Sequence, residues 1–366
     1  FVLILGQLLP ATTASLSDAN SQNDLELIDL EKAWEPIAAK LDQHMQTHTA
    51  SEVTELFTPH EFTILLHKAI LVNDSKIVDM ALKNGANVNA QTNKALVTPL
   101  HWAVHVRNQV ILEKLVAAGA DVNAFSRDGL TPLAMAVKNN DLKTTRFLLE
   151  HGANVDLGSK SPIHLGQTVI FLAISENSPE MLNLLLAHNA NVNILLENDY
   201  SPLHHAINLQ QEWMVEKLLA QGANPNILTP QQGTLLNMAV RNKNTKMVNM
   251  LLKAGAHVDA VTNEEQDRPL ITAIRNKNAK IVKTLLKNGA NVNFIPFVKD
   301  STTPLMAAIH SNDEYLVEIL LKAGANPNQE VDYYTPLNMA MRKKNLVVVE
   351  LLLIHGADIN ASNNFQ

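Results

Sequence analysis

Apolar positions in this chain fall into a register that recurs. In the stretch TPLHWAVHVRNQVILEKLVAAGADVNA, residues 98–124, Leu100 and Ala103 share the inner side of one short helix. Ile111, Leu112, Leu115 and Val116 have the 3–4 spacing of a second helix. Thr98 is placed to cap the first helix, with Pro99 at its first turn, where the missing N–H costs nothing. Gly119 ends the second helix, because glycine enters the left-handed conformation without a Cβ penalty. A turn-rich run, Ala120 to Ala124, follows.

This pattern occurs nine times. The opening slot holds Ile64, Thr98, Thr131, Thr168, Ser201, Thr234, Arg268, Thr303 and Thr335. The closing slot, always 21 residues on, holds Gly85, Gly119, Gly152, Asn189, Gly222, Gly255, Gly289, Gly324 and Gly356. Opening slots are 32 to 37 residues apart, so rigid units are joined by adjustable loops, which predicts an all-α solenoid. Five residues into every unit stands an alanine, from Ala69 to Ala340, implying helices too close to admit a larger side chain.

The units resemble the ankyrin repeat, a helix–turn–helix plus β-turn unit with a T-P-L-H-x-A signature. The signature stands nearly intact in Thr98-Pro99-Leu100-His101-Trp102-Ala103 and in Ser201-Pro202-Leu203-His204-His205-Ala206, and is degraded in Arg268-Pro269-Leu270-Ile271-Thr272-Ala273. The resemblance implies an ankyrin-repeat α-solenoid over residues 62–361, with 362–366 as a tail. The first repeat, from Ile64, lacks Thr and Pro, as expected of a terminal unit. Asn189 keeps the left-handed conformation in place of glycine. The long connection from Ala153 to Thr168 predicts an enlarged finger, either a contact point or a tolerated insertion.

Upstream, residues 24–61 read as a helical cap on the first repeat. Leu27, Leu30, Trp34, Ile37, Leu41 and Met45 form one stripe, Pro36 is expected to kink or restart the helix, and a shorter helix is expected over 51–57. Residues 1–23 combine an apolar start, Phe1 to Leu9, with small residues from Pro10 to Ser15, then a polar linker. This resembles the end of a secretory signal peptide and implies a secreted or periplasmic protein. The other reading is an apolar segment of a trimmed fragment packing on the first helices, with a cytoplasmic location. No other stretch is long and apolar enough to span a bilayer.

At the far end, Leu346 to Ile354 carries Val347 and Ile354 where earlier units place charge. That predicts an apolar end, met by a C-terminal continuation or by self-association.

Composition narrows the chemistry. Net charge is −7, which argues against nucleic acid. There is no cysteine, hence no disulfide and no thiolate metal site. The sequence has no G-x-S-x-G, no phosphate-cradling G-x-x-x-x-G-K-[ST] and no H-E-x-x-H, so neither an enzyme nor a cofactor is expected. His101 and His105 are four apart but have no third ligand, a poor zinc site.

The resemblance implies binding of a protein partner on a concave face built from loop tips and the outer side of the first helices. Seven residues after the opening slots stand His105, Lys138, Arg241, Arg275, His310 and Arg342, and Tyr200, Tyr333 and Tyr334 are loop-tip aromatics. These are the candidate contact residues, since Tyr and Arg are enriched at interface hot spots. The loop tips lean acidic, with Glu197, Asp199, Glu264, Glu265, Asp267, Asp300 and Asp332. The competing reading makes the basic column a set of helix ends, where cations are favoured. A second functional reading is the targeting module of a secreted bacterial effector or toxin-associated protein whose catalytic part lies outside this chain.

Overall fold

The structure, a computed structural model, describes residues 32–40, 55, 57–160, 166–229, 233–260, 268–295, 302–331 and 334–360. The expected signal segment, the 51–57 helix apart from Glu55 and Phe57, the middle of the long finger and the tail lie outside these residues. No helix among them is long and apolar enough to cross a membrane. The chain forms two compact units, Phe1–Asn191 and Val192–Gln366.

The first unit contains helices α1 (Pro59–Leu71), α2 (Ser75–Lys83), α3 (Pro99–Val106), α4 (Gln109–Ala117), α5 (Pro132–Lys138), α6 (Leu142–Glu150), α7 (Val169–Ser175) and α8 (Pro179–Ala187). The second contains α9 (Pro202–Asn208), α10 (Glu212–Ala220), α11 (Leu235–Arg241), α12 (Thr245–Lys253), α13 (Pro269–Arg275), α14 (Ala279–Lys287), α15 (Pro304–His310), α16 (Glu314–Lys322), α17 (Pro336–Arg342) and α18 (Leu346–Ile354). Within each unit the odd-numbered helices pack on their odd-numbered neighbours, and even-numbered helices also meet, as α2 with α4 and α10 with α12, so hairpins stack on one another inside the unit. Extended structure is slight: Leu228–Thr229 pairs antiparallel with Gly233–Thr234.

Capping chemistry sets the boundaries. Thr98, Thr131, Ser201, Thr234, Thr303 and Thr335 each accept from a backbone N–H in the first turn that follows. Thr168 makes no such bond, and its buried hydroxyl has no partner among the described residues. Arg268 has no side-chain acceptor; its guanidinium lies 3.5 Å over the Phe294 ring and 3.8 Å from Asp259. The turn between the two helices is just as regular. Nine residues after each opening slot the backbone is left-handed, at φ 48° to 62°, in Asn73, Arg107, Asn140 and Asn177 of the first unit and Gln210, Lys243, Lys277, Asn312 and Lys344 of the second. The next residue caps the second helix, as Asp74, Asn108, Asn244 and Asn345 do. The closing residue is left-handed as expected, at φ 82° to 90° for the glycines and 62° for Asn189.

Two features join repeats. The recurrent alanine is 0 % exposed in all nine, which is why only a methyl fits. On the surface, an asparagine or aspartate four residues after the closing slot bonds the next repeat. In the first unit Asn89 Nδ2 donates to the Gly119 carbonyl at 3.1 Å and its Oδ1 accepts from Asp121 N–H at 2.7 Å. Asn123 does the same with Gly152 and Asn154. In the second unit Asn193, Asn226, Asn293 and Asn328 donate to Gly222, Gly255, Gly324 and Gly356. Asp156 and Asp259 occupy the same place and can only accept, from Asn191 and Asn291.

The first repeat departs from the sequence reading. Ile64 does not open a helix; it lies inside α1, which starts at Pro59, three residues before the expected boundary at 62. Thr58 and Glu61 form a reciprocal capping box, with Thr58 N–H donating to Glu61 at 2.7 Å and Glu61 N–H to Thr58 at 3.2 Å. The Thr-Pro start is therefore present but shifted upstream, and α1 gains over a turn. His67 accordingly bonds the Thr63 carbonyl of its own helix at 2.9 Å rather than a cap. Residues 32–40 are helical straight through Pro36, with Trp34 and Ile37 buried. Lys40 ties this segment to α1 through Glu61 at 3.0 Å.

The long finger closes on itself. Ser159 N–H donates to Gln167 and Gly166 N–H to Ser159, each at 2.8 Å. A Cβ on Gly158 would meet the Gly166 carbonyl at 2.7 Å, so only glycine fits there.

At the other end α18 exposes Leu346 at 79 % and Ile354 at 70 %, together with Val347 and Leu353, and α17 exposes Met341. Leu321, which occupies in α16 the place of Leu353, is buried.

Candidate interaction surface

In the first unit, α3 and α5 expose His105 in the last turn of one and Lys138 at the end of the other. Both line one groove of about 320 Å³, with Trp102 from α3 and Ser126 and Asp128 from the facing finger. The fingers are held by main-chain bonds, Arg127 N–H to Ala95 at 2.7 Å and Lys160 N–H to Gly129 at 3.2 Å. Trp102 is buried, with the His105 ring edge-on at 6.0 Å, and its indole N–H has no acceptor among the described residues. The repeat pattern marks His105 and Lys138 in the sequence; Trp102, Ser126 and Asp128 carry no such mark, because an unpartnered indole leaves no trace in the order of residues.

His101 is not available to this groove as a ligand. Its Nδ1 accepts from the Thr98 N–H at 3.3 Å, and its Nε2 lies 3.1 Å from the Leu130 carbonyl of the next repeat. Burial holds its pKa down to about 4, against the opposing effects of the Leu130 carbonyl and Asp121. Both ring nitrogens are committed, so the His101–His105 pair has no free lone pair on its first member for a metal.

In the second unit the candidates are more self-occupied. Tyr200 stacks on His204 at 5.6 Å between ring centroids, and its hydroxyl is 3.3 Å from His205 Nδ1. Burial raises the Tyr200 pKa, partly offset by a hydrogen bond with Asn208. Arg342 donates to the Tyr334 hydroxyl at 2.8 Å and lies 5.2 Å from the centre of that ring. Arg241, Arg275 and His310 are exposed, each the last residue of its helix, α11, α13 and α15. The run Arg241-Asn242-Lys243-Asn244 thus has a structural task at every position: helix end, C-cap, left-handed corner and N-cap. Tyr333 and the acidic tips Glu264, Glu265, Asp267, Asp300 and Asp332 lie outside the described residues, while Glu197 and Asp199 form a 3₁₀ turn.

Comparison with known proteins agrees with this architecture. The family model for ankyrin repeats, in three copies, matches residues 66–159, 154–229, 214–296 and 295–363. The mouse RelA-associated inhibitor is 37 % identical over 92 residues, 25 % of this chain and 11 % of that protein. Human ankyrin repeat and SOCS box protein 6 is 31 % identical over 121 residues, 31 % of this chain and 29 % of that protein. The chain therefore spans under a third of the length of these relatives. Among solved structures, the ankyrin repeat domain of Bcl-3, a member of the IkappaB protein family, aligns at a TM-score of 0.53 and 25 % identity, covering 61 % of this chain and 97 % of that one. With its matched residues running through most of both units, this chain belongs to the ankyrin repeat family.

Proposed function

We propose that this chain is a non-enzymatic binding module that holds a protein partner on the concave face formed by finger tips and first helices. Ankyrin repeats are protein–protein interaction modules, and the reading here adds a location. The observation that carries it is the open groove of the first unit, where His105, Lys138 and Trp102 meet fingers already fixed by main-chain bonds. A preformed surface of this kind spends little of the binding energy on ordering. The cations Arg241, Arg275, His310 and Arg342 and the tyrosines Tyr200, Tyr333 and Tyr334 are secondary contact points in the second unit.

The test is affinity capture with the full chain, comparing the natural protein with two variants. One carries His105→Glu and Lys138→Glu; the other carries Lys76→Glu and Lys280→Glu on the second helices. Proteins retained by the natural chain and by the second variant, but lost from the first, support the reading. Equal retention by all three overturns the location.

A further inference from the structure

The residue just before each opening slot decides whether the first helix is covered. In the fifth and ninth repeats it is tyrosine. Tyr200 lies on His204 and reaches His205, and Tyr334 engages Arg342. In the second and third repeats the same place holds Val97 and Leu130. These shorter side chains line the groove of about 320 Å³ and leave it open.

The groups around that opening are unequal in kind. The Trp102 indole N–H is a donor with no acceptor, on a side chain that is 3 % exposed. Lys138 pairs with no described residue, and His105 supplies a ring nitrogen beside the indole. Donors therefore dominate the helix side. Asp128, equally unpaired, is the acid on the finger side, and Ser126 accepts from Leu130 N–H at 3.3 Å. An indole N–H and an ammonium lining one groove are matched by an anion with two acceptor oxygens.

We propose that this groove receives an aspartate or glutamate side chain from an extended segment of the protein partner. The carboxylate accepts from Lys138 and the Trp102 N–H, and the segment's backbone N–H donates to Asp128 at the finger tip. This rests on the protein-binding reading and narrows it to one acidic residue at one place.

The test uses the full chain to pan a random peptide library displayed on phage, in parallel with Lys138→Glu and Lys280→Glu variants. The expected result is a consensus with Asp or Glu at one fixed position. That consensus binds about tenfold or more weakly to Lys138→Glu, binds unchanged to Lys280→Glu, and is replaced by Lys or Arg when Lys138→Glu itself is panned. Trp102→Phe, which keeps an aromatic ring and removes the N–H, weakens the same peptides. Enriched peptides without a fixed acid, or an acidic consensus indifferent to Lys138→Glu, overturn the proposal while leaving peptide binding intact. A chain that enriches no peptide counts against the protein-binding reading as well.

Discussion

The Nε2 atom of His101 lies 3.1 Å from the main-chain carbonyl of Leu130, one repeat further on. With Nδ1 accepting from Thr98, Nε2 must carry the proton, so one neutral tautomer both caps α3 and joins two repeats. Protonation would place a hydrogen on Nδ1, facing the Thr98 donor. The unfolded ring takes its proton near 6.5, while the folded ring resists until about 4. Stability from this group is therefore whole above 6.5 and is lost as pH falls from there to about 4. His101 alone accounts for a loss of up to about 3 kcal/mol. His204, held down to about 4 by burial, adds to the same slope. Urea midpoints measured from neutral pH to about 4 should fall, and His101→Gln should flatten the fall.

The alanine five residues into each repeat sets how closely neighbouring helices approach. Ala206→Leu should destabilise by about 1–3 kcal/mol through overpacking. Leu209, exposed on the same repeat, should tolerate exchange for Lys with little change. Denaturant midpoints of the two variants make the comparison.

The closing glycines share one left-handed conformation, at φ 82° to 90°. Gly255 has φ +88° and open space where a Cβ would stand. Its replacement by alanine therefore isolates backbone strain and should cost about 1–2 kcal/mol. Asn189→Gly, at a position already left-handed, should stabilise by less than about 1 kcal/mol. Thermal melts of the paired variants check the opposite signs.

The surface straps make a prediction in the favourable direction. Asp156 accepts from Asn191 but has no donor for the Asn189 carbonyl. Asp156→Asn restores the second hydrogen bond and should stabilise by about 0.5–1 kcal/mol. Asn226→Asp, which removes the donor to Gly255, should cost about as much. Hydrogen exchange of the adjacent repeats reads the effect locally.

The last helix gives a test of solution behaviour. Val347 and Ile354 occupy places that hold Lys280 and Lys287 in α14. The double exchange Val347→Lys and Ile354→Lys should keep the helical circular dichroism and lower binding of a hydrophobic dye. Dye binding unchanged by the exchange would show that this patch is not what the dye reports.

Much of the fold was legible because its signals are local. Thr98 and Gly119 fix a helix pair by cap and left-handed end, whatever the neighbours do. The first repeat was misread because its buried alanine, Ala69, kept the register while its cap had moved to Thr58. Counting back from Ala69 lands on Ile64, inside a helix lengthened by the Thr58–Glu61 box. The corner residues Lys243 and Lys277 stand two places after Arg241 and Arg275 of the basic column, and left-handed geometry leaves no mark on a lysine's identity. The groove was least legible of all. It depends on the size of Val97 and Leu130 against Tyr200 and Tyr334, which acquires meaning only once the ring is seen lying across the helix.

The Thr58–Glu61 box bears on where the protein can be cut. Glu61 closes the box with Thr58 and also receives Lys40 from the segment upstream. Its pKa is lowered: burial pushes it up, but Thr58 and Lys40 together outweigh that. A fragment begun at 62 would look complete by its repeats and yet lack the first turn of α1. Expression boundaries drawn ahead of Lys40 keep all three residues together, and recombinant pieces made for crystallography or binding work should start there.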